Sequence, residues 1–129
     1  PGNAMAWLGL GMLEHQCGAA AAARAAFARA LKEPGNALEP AARVAARSGL
    51  LDATLSLCDW SEYESGVADV VELATGGAPV GVGCLLAVCD DPRLLQRVAR
   101  AHAALHPRPP VRTSVPPSET IHRRTRIAY

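Results

Sequence analysis

The chain is short of aromatic residues: one phenylalanine, two tryptophans and two tyrosines in 129 residues. Alanine, by contrast, is abundant. That combination favours close-packed helices separated by small side chains. Neither sign of charge dominates, with 13 Lys and Arg against 12 Asp and Glu for a formal net charge of +1. The balance argues against nucleic acid or a membrane surface as the main partner. The longest uncharged apolar run, from Thr75 to Cys89, is rich in glycine and falls short of the ~20 residues a membrane span needs. No basic stretch followed by an apolar core stands at the start, so no signal peptide is expected. The four cysteines, Cys17, Cys58, Cys84 and Cys89, form no C-x-x-C pair and show no zinc-ligand spacing with the four histidines. Reduced cysteines in a cytoplasmic protein, with no metal and no cofactor, are the expectation.

What the chain does have is a repeated word. PGNA occurs at positions 1–4 and again at 34–37, thirty-three residues apart. Proline and glycine punctuate, and asparagine caps the helix that follows. Asn3 and Asn36 are thus expected N-caps. AMAWLGLGMLEHQCG carries Trp7, Leu8, Leu10, Met12 and Leu13 on helical spacing, and Gly18 breaks it. AAAAARAAFARALKE is a strong helix former, with Phe27 and Leu31 four apart on one face. A helical hairpin over 4–32 follows.

A period of this length, helix–turn–helix in plan, resembles the tetratricopeptide (TPR) repeat, whose unit is 34 residues. Trp7, the Leu10–Gly11 pair, the turn at Gly18, and Ala23, Phe27 and Ala30 fall on the motif's positions. Glu14 stands where the motif has tyrosine, and Pro34 comes one residue early. The next segment, ALEPAARVAARSGLLDATLSL, lacks the tryptophan, leucine and glycine positions. It reads as a terminal solenoid helix with Pro40 in its first turn. Since one repeat cannot bury its own face, the chain is expected to be the C-terminal end of a longer array.

After the array comes LCDWSEYE. Cys58, Asp59 and Trp60 are expected to end one helix, and Ser61 with Glu64 has the form of a capping box opening the next. Tyr63, Val67, Val70 and Ala74 share a face of that next helix. TGGAPVGVG reads as a loop and CLLAVCDDP as a short apolar helix or turn. Asp91 caps a last helix with Pro92 at its first position, bearing Leu95, Val98, His102 and Leu105 at helical intervals. PRPPVRTSVPPSE then reads as an extended, proline-rich linker, and TRIAY as a β-prone end.

In this order the segments resemble the bacterial O-linked N-acetylglucosamine transferases and their SPINDLY-like relatives. The carrying residues are Leu57, Cys58, Asp59 and Trp60; Leu85, Leu86 and Ala87; Asp90, Asp91 and Pro92; and Arg126, Ile127 and Tyr129. The resemblance implies a TPR repeat over 1–36, a terminal solenoid unit over 37–60, an interdomain helical segment over 61–106, and a linker with the start of a catalytic-domain strand over 107–129. It implies an all-α chain belonging to a protein O-glycosyltransferase. That parent would move N-acetylglucosamine from UDP-GlcNAc to Ser or Thr of acceptor proteins. The catalytic histidine and nucleotide-sugar residues of the family lie beyond the strand, so no catalytic, cofactor or metal residue is expected here, and UDP-GlcNAc is a partner of the full-length parent alone. The alternative is a free-standing TPR protein-binding module.

Either way the expected partner is a protein or peptide, met on the face where TPR arrays bind. Met5, Leu8 and Met12 project from the first helix toward that face. Trp7, Gly11, Phe27 and Trp60 are expected structural anchors, Trp60 at the junction between array and interdomain helices. As a buried anchor, Trp60→Ala should cost ~3–5 kcal/mol. His15, His102, His106 and His122 show no carboxylate companion by spacing, and Arg123, Arg124 and Arg126 read as a solvated run. A helix-dominated circular dichroism spectrum is the expected outcome for the whole chain; a strand-dominated one would overturn the fold class.

Overall fold

The computed structural model describes residues 3–34 and 38–105. They form six helices and no strand: α1 Ala4–Gln16, α2 Ala20–Lys32, α3 Pro40–Ser56, α4 Tyr63–Thr75, α5 Val82–Val88 and α6 Pro92–Leu105. The all-α expectation and the hairpin over 4–32 both hold. Asn36, His106, the proline-rich linker, His122, the arginine run and the TRIAY strand lie outside the described residues.

Helix starts follow local chemistry. Asn3 Oδ1 accepts from the backbone N–H of Met5 and Ala6, at 3.0 and 3.3 Å, so two of α1's unpaired donors are satisfied. Pro40 opens α3 as its first residue. Asp91 Oδ1 accepts from Arg93 N at 2.9 Å beside Pro92. The ends of α1, α3 and α4 share one device. Gly18 and Gly77 sit at φ +76° and +86°, and Cys58 at +53°. Each lies just past its helix. In all three turns, two backbone N–H groups reach back to the helix's last free carbonyls, as from Cys58 to Leu55 and from Asp59 to Thr54. Cys58 does with a side chain what glycine does twice without one.

The hairpin is held by Phe27, the chain's one phenylalanine. Its ring is 2% exposed. On one side lies Gly11 of α1, where an added Cβ would come within 2.7 Å of Phe27 Cδ1; on the other lies Gly49 of α3, where it would come within 2.5 Å of Cζ. Two mid-helix glycines cost roughly 1 kcal/mol each relative to alanine. Losing a buried phenylalanine side chain costs ~3–5 kcal/mol, so the arrangement is a net gain. Ala4, Leu8, Ala23, Ala30, Leu38, Ala46 and Ala53 complete this cluster. Trp7, half-buried, lies under the Arg29 guanidinium, 4.4 Å from its ring centre.

α3 is two-faced. Its small side, with Ala42, Ala46, Gly49 and Ala53, meets the hairpin. Its large side, with Val44 and Leu51, joins a second cluster of Val70, Ala74, Val80, Leu85, Leu94 and Val98. This one helix joins the two cores.

Five expectations need correction. Trp60 is 61% exposed and anchors no core. α3 stops at Ser56, so Cys58, Asp59 and Trp60 lie in the turn after it. The Ser61–Glu64 capping box is absent: Ser61 instead donates both its N–H and its hydroxyl to Asp59, and α4 has no side-chain cap. α5 begins at Val82, inside the expected loop, and on α6 the buried residues are Leu94 and Val98, with Leu105 exposed.

Gly49→Ala is expected to destabilise by about 1–3 kcal/mol, because the new methyl overlaps the ring. Adding Phe27→Leu should recover part of that loss; strictly additive effects in a denaturation cycle would show that the two do not touch. Cys58→Gly should raise stability by up to about 1 kcal/mol by relieving the left-handed backbone.

Candidate functional site

Of the three residues expected on a peptide-binding face, the structure brings two together and removes one. Met5 and Met12 are 53% and 49% exposed, but Leu8 is 5% exposed and packs in the hairpin core. From Ala4 to Leu13 α1 has no polar side chain on any side, and such a helix is normally covered all round. Here its outer side, with Met5, Met12 and Leu13, is open. The spacing of that side is informative. Met5, Gly9, Met12, Leu13 and Gln16 follow the same steps as Ala42, Ala46, Gly49, Leu50 and Ala53, the side of α3 turned to the hairpin. α1 therefore presents, uncovered, the register that α3 presents to α2.

A second surface was not foreseen. α2 and α4 flank α3 without touching each other. Between them runs a groove of about 650 Å³, floored by Leu38, Leu50 and Leu51 and walled by Leu31 and Val70. Charged side chains edge it: Glu33, Glu62 and Asp69 against Arg43 and Arg47. Arg47 spans from α3 to Asp69 of α4 at 3.2 Å. Both partners are largely solvated, so the pair contributes no more than about 1 kcal/mol. Its geometry matters more, since it sets the spacing of two groove walls. Leu31, Leu38 and Leu50 were readable as apolar, but their meeting depends on how α3 crosses α2, which no local pattern records.

At one end the groove runs into an aromatic pair, the exposed Trp60 and the half-buried Tyr63. Trp60 and Tyr63 meet edge to face, 5.3 Å between ring centres. Glu62 and Ser65 belong both to the groove and to the hollow beneath these rings. The turn carrying Trp60 is tightly held although its indole is not. Asp59 accepts from Ser61 N at 3.0 Å, from Ser61 Oγ at 2.7 Å and from Arg24 Nη1 of α2 at 2.5 Å. The Ser61 hydroxyl and N–H, then Arg24, hold the Asp59 carboxyl below its ordinary value of 3.8. LCDW thus fastens the turn to α2 through aspartate and leaves the tryptophan in solvent.

Elsewhere His15, expected to lack a carboxylate companion, meets Asp52 of α3 at 3.0 Å. Burial, with the Asp52 charge second, raises the Cys84 thiol to about 11. Among the described residues no three His, Cys, Asp or Glu side chains are grouped to hold a metal, and no helix is long and apolar enough to cross a membrane. The chain matches no family model, no curated protein and no solved structure.

Two outcomes follow. Titrated with a bulky disulfide reagent, the native protein should release exposed Cys17 and Cys58 quickly and Cys84 only on unfolding. Early labelling of Cys84, followed by peptide mapping, would contradict its place in the core. Because the folded Asp59 carboxyl titrates below its unfolded value, its contribution is complete above that value and is lost as pH falls through the folded one. The stability gap between the protein and Asp59→Ala should therefore be constant at neutral pH and close below pH 3.8. A gap that persists in acid would assign the effect to packing.

Proposed function

We propose that the chain is a protein-binding, TPR-type helical segment joined to an interdomain segment of a cytoplasmic protein O-glycosyltransferase resembling O-GlcNAc transferase. Its part is to present a protein acceptor, while sugar transfer belongs to the catalytic region of the parent. What supports the binding role is the open side of α1, where Met5, Met12 and Leu13 are exposed in the register that α3 gives to its helical neighbour. A contiguous apolar strip of this kind marks an interaction site on a helical protein. What supports the parent is the order of motifs, from Trp7 and Gly11 through Leu57–Trp60 and Asp90–Pro92 to Arg126–Tyr129.

Sugar transfer needs a cleft that holds the leaving diphosphate and orients the acceptor hydroxyl. In the resembled family that cleft is built by two Rossmann-like halves following the strand that Arg126 would open. Selection from a displayed library of Ser- and Thr-containing peptides should enrich binders to the 129-residue chain. Met5→Glu with Met12→Glu should remove that enrichment without unfolding the chain, because both side chains are exposed. Calorimetric titration with UDP-GlcNAc should give only heat of dilution. Saturable binding of the nucleotide sugar would contradict the division of labour, and peptide binding indifferent to the two glutamates would move the site off α1.

A further inference from the structure

The corner made by Trp60 and Tyr63 has the chemistry of a site for a quaternary ammonium group. The two rings meet at 68° with 5.3 Å between centres, so two aromatic planes bound one corner. Ring faces are electron-rich and attract a cation set against them. The hollow beneath the rings is lined by residues 60–65, which include the carboxylates of Glu62 and Glu64 and no basic side chain. Neither carboxylate is in an ion pair among the described residues. Both stand at the start of α4, whose N-terminus carries about half a unit of positive charge. Two full negative charges outweigh it.

The basic side chains of the neighbourhood are engaged or remote. Arg24 is held by Asp59, and Arg47 by Asp69. The turn is tied to Thr54, whose carbonyl accepts from Asp59 N at 3.2 Å. Arg43 stands about 16 Å from Thr54 along α3, about two screening lengths at physiological salt. The folded chain already shows the chemistry elsewhere: the Arg29 guanidinium lies over the Trp7 ring at 4.4 Å. Among the described residues no cation covers Trp60, which is 61% exposed. Its turn is fixed, since Asp59 accepts from Ser61 N, Ser61 Oγ and Arg24 Nη1. Little backbone freedom is left to lose on binding.

We propose that Trp60, Tyr63, Glu62 and Glu64 bind a quaternary ammonium group, as carried by choline or by a trimethylated lysine side chain. Such a group has no N–H to satisfy, and its charge is spread over its methyls. Contact with ring faces therefore leaves no donor unpaired, and the carboxylates act through charge alone. A primary ammonium, compact and strongly hydrated, is the poorer fit. The site is separate from the α1 face, so either reading can fail alone.

The test is a titration of the full chain with tetramethylammonium chloride, set against sodium chloride at equal concentration and followed by nuclear magnetic resonance. The Trp60 indole and Tyr63 ring resonances should shift saturably, with half-saturation in the millimolar range. Trp7, already covered by Arg29, is the internal control and should not move. Trp60→Leu should abolish the Tyr63 shift with the fold intact, because the indole is exposed. Glu62→Gln with Glu64→Gln should raise the half-saturation concentration roughly threefold or more. Choline and the N-acetyl methylamide of trimethyllysine then separate the two sources. Choline binding at least as tightly assigns the site to a free quaternary amine; tighter binding of the lysine derivative assigns it to a modified protein. Shifts at Trp60 that grow linearly, or that sodium chloride reproduces, would overturn the proposal. So would binding unchanged in Trp60→Leu or in the double glutamine variant, or equal affinity for the unmethylated lysine derivative.

Discussion

The ring of Phe27 between two glycines is the contact on which the remaining structure depends. It requires Gly11 in α1 and Gly49 in α3, since a methyl at either place would enter the ring. It thereby fixes how closely α1, α2 and α3 approach. Once α3 is seated with its small side on the hairpin, its Val44 and Leu51 side is forced outward, and α4, α5 and α6 gather there. The same seating opens the groove, because α2 and α4 are held apart by the width of α3. Close packing transmits such a constraint without much loss, as interiors have little slack.

The two exposed surfaces have different origins. On α1 the open side is the residue of a repetitive plan: a helix with apolar side chains all round from Ala4 to Leu13, one side of which has no neighbour among the described residues. At Trp60 the exposure is built. Asp59 takes the hydrogen bonds that fasten the turn, Arg24 ties it to α2, and the indole is left pointing outward with Tyr63 against its edge. In the proposed glycosyltransferase reading the first surface would meet an acceptor or a neighbouring repeat. That use comes from apolar area that the fold leaves uncovered, which is the usual driving force for association.

Where sequence chemistry was local, it was legible. Asn3, Gly18, Pro40 and Asp91 act at the positions their types imply, and Phe27 and Gly11 sit in the core as the repeat pattern required. Trp60 was misread because burial is a tertiary property: an indole one residue after an aspartate gives no local sign of which way the turn faces. Ser61 was misread because the same hydroxyl can cap a helix or bond an aspartate two residues back, and Asp59 won. Leu8 and Leu94 turned on about one residue of helical phase, which apolar neighbours on either side concealed. Gly49 carried no motif of its own; only the ring it faces gives it a role.

The central claim is that Phe27, through α3, couples the hairpin cluster to the α4–α6 cluster, so that the described residues open as one unit. Native-state hydrogen exchange in the protein and in Phe27→Ala tests it most directly. The account predicts that the slowest amides of α2, α3 and α6 exchange with one common free energy, and that all three fall together in the variant. If the variant loses protection in α1 and α2 while α4 and α6 keep theirs, the two clusters are independent and α3 does not couple them.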